Sequence, residues 1–295
     1  MKKIIIVLFV LMCTFLLYIN FNKNVTHLKN ENSKANVGGN VSVKYTKSNN
    51  NSGSTIYSIK GKSDNITGKD LTLMNESREG NRAMAVKYPD KVFINGNTMK
   101  KQVALTFDDG IDPVVTSDIL KILKENHVKA SFFVIGSTVM KNSEIVKKAY
   151  NDGNLILNHS YSHIELPKAK DQVIKDEIVK TEDAIYSVIG EKPDIIRPPY
   201  GEIDDNLIKI ETELGYKASV LWSTDTLDWS QKEPDNIVNN VIDNVRPGEI
   251  ILMHTNEDKA ATVAALPAII KKLKAMGYEI VTLDKILNVQ PYKSK

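Results

Sequence analysis

Two carboxylates stand side by side in Thr106-Phe107-Asp108-Asp109-Gly110, directly after the apolar run Val103-Ala104-Leu105. Such a run reads as a buried strand, and adjacent acids at its end cannot both be ordinary surface charges. A division of labour resolves the pairing: one carboxylate holds a cation and its neighbour stays free to take a proton from a water on that cation. The cation needs further ligands. His159 and His163 sit four residues apart in Asn158-His159-Ser160-Tyr161-Ser162-His163, a spacing that sets two imidazoles on one side of a helical turn. A His-x-x-x-His pair alone also describes solvated or core histidines. Here three of the chain's five histidines follow apolar runs beside acids, and that favours metal. Asp109, His159 and His163 would supply one oxygen and two nitrogens and leave a position for water; zinc is the first choice, with cobalt, manganese and iron also compatible.

Three more clusters follow apolar runs. Ile195-Ile196 leads to Arg197-Pro198-Pro199-Tyr200-Gly201, Ala218 to Trp222 leads to Asp225-Thr226-Leu227-Asp228-Trp229, and Ile250 to Met253 leads to His254. Arg197 reads either as a surface cation or as a guanidinium held for a carboxylate by the stiff Pro-Pro turn. Asp228 and Trp229 read equally as loop polarity with a core aromatic, or as site residues with a ring lining a groove. Asp112, before Pro113, reads as a helix cap.

The elements that must position these clusters are legible in outline. From about residue 101, short apolar runs alternate with amphipathic stretches, the pattern of βα units and a parallel sheet. Seven strands are expected: 103–107, 131–135, 155–157, 195–196, 218–222, 250–253 and 279–282. Gly153, Gly190, Gly215 and Gly277 close helices, and Ile174, Ile178, Ile185 and Ile189 mark the buried stripe of the longest one. Seven repeats suggest a distorted (β/α) barrel, although an open doubly wound sheet would give the same string. In either fold the carboxyl ends of parallel strands share one rim, so the five clusters converge there.

The chain has 295 residues, 42% of them hydrophobic and 25% charged, enough for a substantial core. Its net charge of +3 is supplied by Lys2, Lys3 and Lys23; the remainder balances at 36 basic and 36 acidic side chains, which gives no reason to expect a nucleic-acid partner. Lys2-Lys3 precede an uncharged apolar stretch from Ile4 to Ile19 with no small-x-small cleavage site, so residues 1–23 read as a retained signal anchor. The expected location is the cell membrane, single-pass with the catalytic domain outside, or secretion if the signal is cleaved. Cys13, the only cysteine, lies in that stretch, so the exported part has no disulfide. Residues 24–81 are polar and aperiodic and read as a flexible tether, with a short strand pair possible between 55–59 and 92–94. Residues 82–295 are expected to form the catalytic domain, as a monomer, with its core at about 100–290.

The five clusters, in this order, resemble the five motifs of the polysaccharide deacetylases, carbohydrate esterase family four, also called the NodB homology domain. The likeness covers roughly residues 100–290. It implies a general base at Asp108, a metal held by Asp109, His159 and His163, Arg197 orienting Asp108, and Asp228 supporting His254 as general acid. It also implies an oxyanion-binding backbone N–H at Tyr200, an acetyl pocket lined by Leu252 and Trp229, and Ser160 steadying the ligand loop. Ile111 stands where the family usually has proline, and Ser131 where threonine is common. The implied substrate is an acetylated glycan, first N-acetylglucosamine of peptidoglycan; muramic acid, chitin oligomers, an exopolysaccharide and O-acetyl xylan are alternatives. A non-catalytic glycan-binding protein is the competing reading from another class, and an intracellular amide hydrolase conflicts with the N-terminal segment.

Overall fold

The computed structural model describes residues 55–294. The expected anchor and residues 24–54 of the expected tether lie outside them. Among the described residues no helix is long and apolar enough to cross a membrane.

The strands are β1 (Val92–Phe93), β2 (Gln102–Asp108), β3 (Ser131–Val134), β4 (Leu155–Asn158), β5 (Ile195–Ile196), β6 (Ala218–Val220), β7 (Thr224–Asp225), β8 (Glu249–His254) and β9 (Glu279–Val281). All pair in parallel, in the order β1-β6-β5-β4-β3-β2-β8-β7, with β9 against the start of β2. The run β6-β5-β4-β3-β2 never reverses direction, so it has no switch point of the kind that defines an open doubly wound sheet. The fold is therefore the distorted (β/α) barrel. Two strands lie outside the seven expected: β1, which falls on the 92–94 half of the suspected strand pair, and β7, whose two residues Thr224 and Asp225 form no apolar run.

Alternation along the strands sorts the core. Leu105, Phe107, Phe132, Ile156, Ile251 and Met253 face the helices, whereas Ala104, Phe133, Leu157, Val220 and Ile250 face the interior. By the same parity Thr106 and Asp108 of β2, and Leu252 and His254 of β8, belong to the interior face. Register then pairs Asp108 with His254 directly across the β2–β8 ladder.

The helices are α1 (Gly68–Lys87), α2 (Val115–Glu125), α3 (Gly136–Val139), α4 (Ser143–Asn151), α5 (Asp171–Ile189), α6 (Asp205–Glu213), α7 (Pro234–Ile242), α8 (Ala260–Ala275) and α9 (Leu283–Leu287). Asp112 Oδ1 accepts from the N–H groups of Val114 and Val115 at 2.9 and 2.7 Å, the capping role its sequence position suggested. On α5, Ile174, Ile178 and Ile185 are fully buried and Ile189 partly so.

The tether reading needs correction for residues 55–81. Ile59 is buried with Ala85, Val92, Ile94, Ile208 and Leu221 in a separate core cluster, and α1 begins at Gly68, inside the stretch expected to be flexible. The suspected strand pair between 55–59 and 92–94 does not form. Instead Lys60 bridges to Thr224 of β7, while the Tyr57 N–H reaches the Asn95 side chain just past β1 at 2.9 Å. The segment thus joins the two end strands of the sheet. Its polarity hid this, because α1 buries only Asn81 and Ala85 and therefore carries no apolar stripe.

Candidate active site

All five clusters reach the carboxyl rim of the strands and surround one cavity of about 480 Å³. Asp108, Asp109, His159, His163, Tyr200, Trp229, Leu252 and His254 all line it. The strain of building the rim is local. Five of the seven non-glycine residues with positive φ among the described residues, Asp109, Ser160, His163, Tyr200 and Leu227, belong to these clusters.

One ligand atom from each of Asp109, His159 and His163 lies within 4.8 Å of the others. Asp109 Oδ1 is 3.2 Å from His163 Nε2 and 3.7 Å from His159 Nε2. The His159 Nδ1 sits 2.7 Å from the Arg197 carbonyl oxygen, so that nitrogen donates and Nε2 is left as the lone-pair donor toward the triad. Burial pushes the His159 imidazole below its ordinary pKa and keeps it in the neutral form a metal requires. Burial alone would raise the Asp109 pKa, but the His163 hydrogen bond and the nearby His254 and His159 hold it well below the usual carboxylate range. One carboxylate oxygen and two imidazole nitrogens at this separation suit a divalent cation.

The ligand loop is braced by three residues. The His163 N–H donates to Ser160 Oγ at 3.1 Å, and the Ser160 N–H donates to Asn158 Oδ1 at 2.9 Å. Glu177 of α5 accepts from the Tyr161 and Ser162 N–H groups at 2.9 and 2.7 Å and from the Ser162 hydroxyl. Sequence reasoning quoted Asn158 without a role and missed Glu177. The signal for Glu177 was an acid inside the buried stripe of α5, between Ile174 and Ile178.

Beside the triad, Arg197 is fully buried, a position its reading as a surface cation does not permit. Its Nη1 donates to Asp108 Oδ1 at 2.6 Å and to Thr106 Oγ1, while Nε and Nη2 donate to the Val220 and Leu221 carbonyls. Phe133 covers one face of the guanidinium at 4.2 Å. The arginine is thereby fixed, and Asp108 with it.

Opposite Asp108, His254 Nδ1 lies 2.6 Å from Asp228 Oδ1, and Asp228 Oδ2 accepts from the His254 N–H and the Thr262 hydroxyl. Burial would lower the His254 pKa, but Asp228 outweighs it and the imidazole is raised to about 9. In the metal-free protein His254 therefore carries a proton at neutral pH, as a general acid must.

The remaining lining residues shape the cavity. Tyr200, at φ 61°, packs its ring edge-on against His163 at 4.6 Å and stays exposed, as does Trp229. Leu252 is buried. Gly201 has φ 69°, and a Cβ there would fall 2.7 Å from the Trp222 ring, so only glycine lets the turn pass. Trp229 is exposed at 47% and lines the cavity, so it is not a core ring.

The profile of the polysaccharide deacetylase family matches residues 95–219. A peptidoglycan-N-acetylglucosamine deacetylase of Bacillus cereus is 44% identical over 194 residues, covering 65% of this chain and 70% of the relative. The peptidoglycan-N-acetylmuramic acid deacetylase PdaC of Bacillus subtilis is 36% identical over 65% of this chain and 40% of its own. Among solved structures, a peptidoglycan N-acetylglucosamine deacetylase in complex with an N-hydroxybenzamide compound has a TM-score of 0.68 at 39% identity, covering 71% of this chain and 99% of that one. A pseudoenzyme of carbohydrate esterase family four from Bacillus anthracis has a TM-score of 0.63 at 31% identity, covering 67% of this chain and 69% of that one. With the site's geometry, these likenesses establish that the chain belongs to the polysaccharide deacetylase family, carbohydrate esterase family four, whose members use a divalent metal.

Proposed function

We propose that this chain removes the N-acetyl group from N-acetylglucosamine residues of peptidoglycan, using zinc as its divalent metal. The observation that carries the reading is the placement of a complete ligand set, Asp109, His159 and His163, beside Asp108 and His254. A cation held there supplies Lewis acidity, polarising an acetyl carbonyl and lowering the pKa of water from about 16 towards about 7.

The chain's own residues do the rest. Asp108, aimed by Arg197, takes the proton of the attacking water. The Tyr200 N–H donates to the oxyanion that develops on the acetamide carbonyl oxygen as its carbon is attacked; losing one such donor costs about 3–4 kcal/mol. His254 gives its proton to the departing nitrogen, and the products are acetate and a free amine. An amide needs that acid more than an ester does, because an unprotonated amine leaves poorly. Leu252 and Trp229 pack against the acetyl methyl group.

The substrate assignment rests on the peptidoglycan deacetylases named above and on the N-terminal apolar stretch, which supports a membrane-anchored domain facing the wall; secretion is the alternative. Protease access to the domain in intact cells tests the location. Mass analysis of wall fragments treated with the protein tests the sugar: loss of acetyl from N-acetylglucosamine is expected, and loss from muramic acid only, or from chitin oligomers or acetyl xylan in preference, would overturn the assignment. The pseudoenzyme neighbour does not favour a purely binding role, because the metal set, Asp108 and His254 are all in place here.

A further inference from the structure

Six buried side-chain polar atoms among the described residues have no hydrogen-bond partner, and three of them belong to residues that line the cavity: Arg78 Nη2, Trp222 Nε1 and Asn256 Oδ1. Buried polar groups in folded proteins are nearly always bonded, so such a concentration marks a surface completed by what enters the cavity. Arg78 comes from α1, which lies wholly before residue 95, where the family profile begins. The same helix adds Leu73, Met74, Ser77 and Asn81 to the lining.

Arg78 is held from behind. Its Nη1 donates to the Gly61 carbonyl at 3.1 Å. Gly61 in turn lies hard against β7: a Cβ there would stand 2.1 Å from the Asp225 carbonyl oxygen. The other arm of the guanidinium is left over. Nη2 lies 3.7 Å from Asp225 Oδ2, an ion pair too long to be a hydrogen bond, while Asp225 Oδ1 is occupied by the Leu227 N–H at 2.9 Å. Both side chains are largely buried, at 13% and 5% exposure. A donor and an acceptor held apart in this way match a group that both accepts and donates. A hydroxyl does so, accepting from Nη2 and donating to Oδ2. A carboxylate would satisfy Arg78 but would meet the charge of Asp225.

We propose that α1 is a substrate-recognition element, in which Arg78 and Asp225 together bind a hydroxyl of the glycan while Leu73 and Met74 pack against its sugar rings. The inference rests on the deacetylase reading and deepens it: specificity is set by a segment outside the stretch that carries the catalytic motifs. Members of the family lacking an equivalent helix would not share the contact.

The test uses the full chain with two substrates, an N-acetylglucosamine tetramer and 4-nitrophenyl acetate, which has no sugar. For Arg78→Ala the ratio of kcat/KM on the tetramer to that on the ester falls about tenfold or more, the size expected for losing one hydrogen bond to a charged donor. The loss lies in KM for the tetramer, with kcat held. Ser77→Trp, which fills the cavity from the same helix without removing the Arg78 contacts, lowers the same ratio. A ratio unchanged in Ser77→Trp, together with either an unchanged ratio or an equal loss on both substrates in Arg78→Ala, would make the helix structural and overturn the inference. The functional reading fails separately, if the unaltered chain releases no acetyl from N-acetylglucosamine of wall fragments and hydrolyses the ester but not the tetramer. Calorimetric binding of the tetramer then decides for α1: weakened binding in both variants supports it, and absent or unaltered binding sinks it.

Discussion

The two walls of the cavity are built by different means. On one side Asp108 and His254 are neighbours across a six-residue parallel ladder, each locked by a buried partner, Arg197 and Asp228. On the other, residues 55–87 join the barrel through Lys60 against β7 and a small apolar cluster, and present side chains of a helix with no apolar stripe. The ladder wall holds the reacting groups in one register with buried partners, the positioning that chemistry requires. The helix wall meets the parts of the substrate that do not react. The contrast assigns kcat to one wall and KM to the other.

The largest expected effects lie on the ladder wall. Asp108→Asn should lower kcat by about 10²–10⁴-fold, while metal affinity measured by calorimetry is retained; loss of metal binding instead would recast Asp108 as a ligand. His254→Ala should fall in the same range on amides and less on acetate esters. The pH behaviour of His254 sharpens this. Its pKa in the folded, metal-free protein is raised to about 9 from an ordinary value near 6.5. The Asp228–His254 pair therefore stabilises the fold fully below that ordinary value, and its contribution is lost as pH rises through about 9. An NMR titration of the metal-free protein should show that midpoint, and Asp228→Asn should lower it. A bound cation offsets the Asp108 and Asp109 charges that also raise the His254 pKa, so the alkaline limb of the loaded enzyme should fall below it.

Smaller effects grade towards the helix wall. Arg197→Met leaves Asp108 buried without its partner, and the denaturation free energy should drop by about 3–5 kcal/mol. Glu177→Gln weakens the brace of the ligand loop and should cost about 10–100-fold in metal affinity, with the fold intact. The α1 variants come last, in KM alone. A kcat loss from them as large as that of His254→Ala would erase the distinction between the walls.

Legibility in the sequence follows the same division. Asp108, Asp109, His159, His163 and His254 were readable because each stands at or soon after the end of an apolar run, and parallel strands bring such ends to one rim, whereas Arg197 and Asp228 each had two readings between which only the family resemblance chose. Strand parity even places Asp108 and His254 on the same face. Glu177, Thr262 and Thr106 were hidden, since they act through partners that only the folded chain brings near. Residues 55–81 escape a composition reading because their burial is piecemeal: Ile59 and Asn81, like Ala85 just beyond them, are buried one at a time, with polar neighbours between them. Composition measures how much a segment can bury by itself, and this one is ordered by packing against a barrel that is already complete.

Acetate release from purified cell-wall glycan, measured with the native protein, after chelation and after adding zinc back, bears most directly on the claim that Asp109, His159 and His163 hold a catalytic cation. Release that stops on chelation and returns with zinc is the expected result. Release indifferent to the chelator, or none with zinc restored, would contradict it.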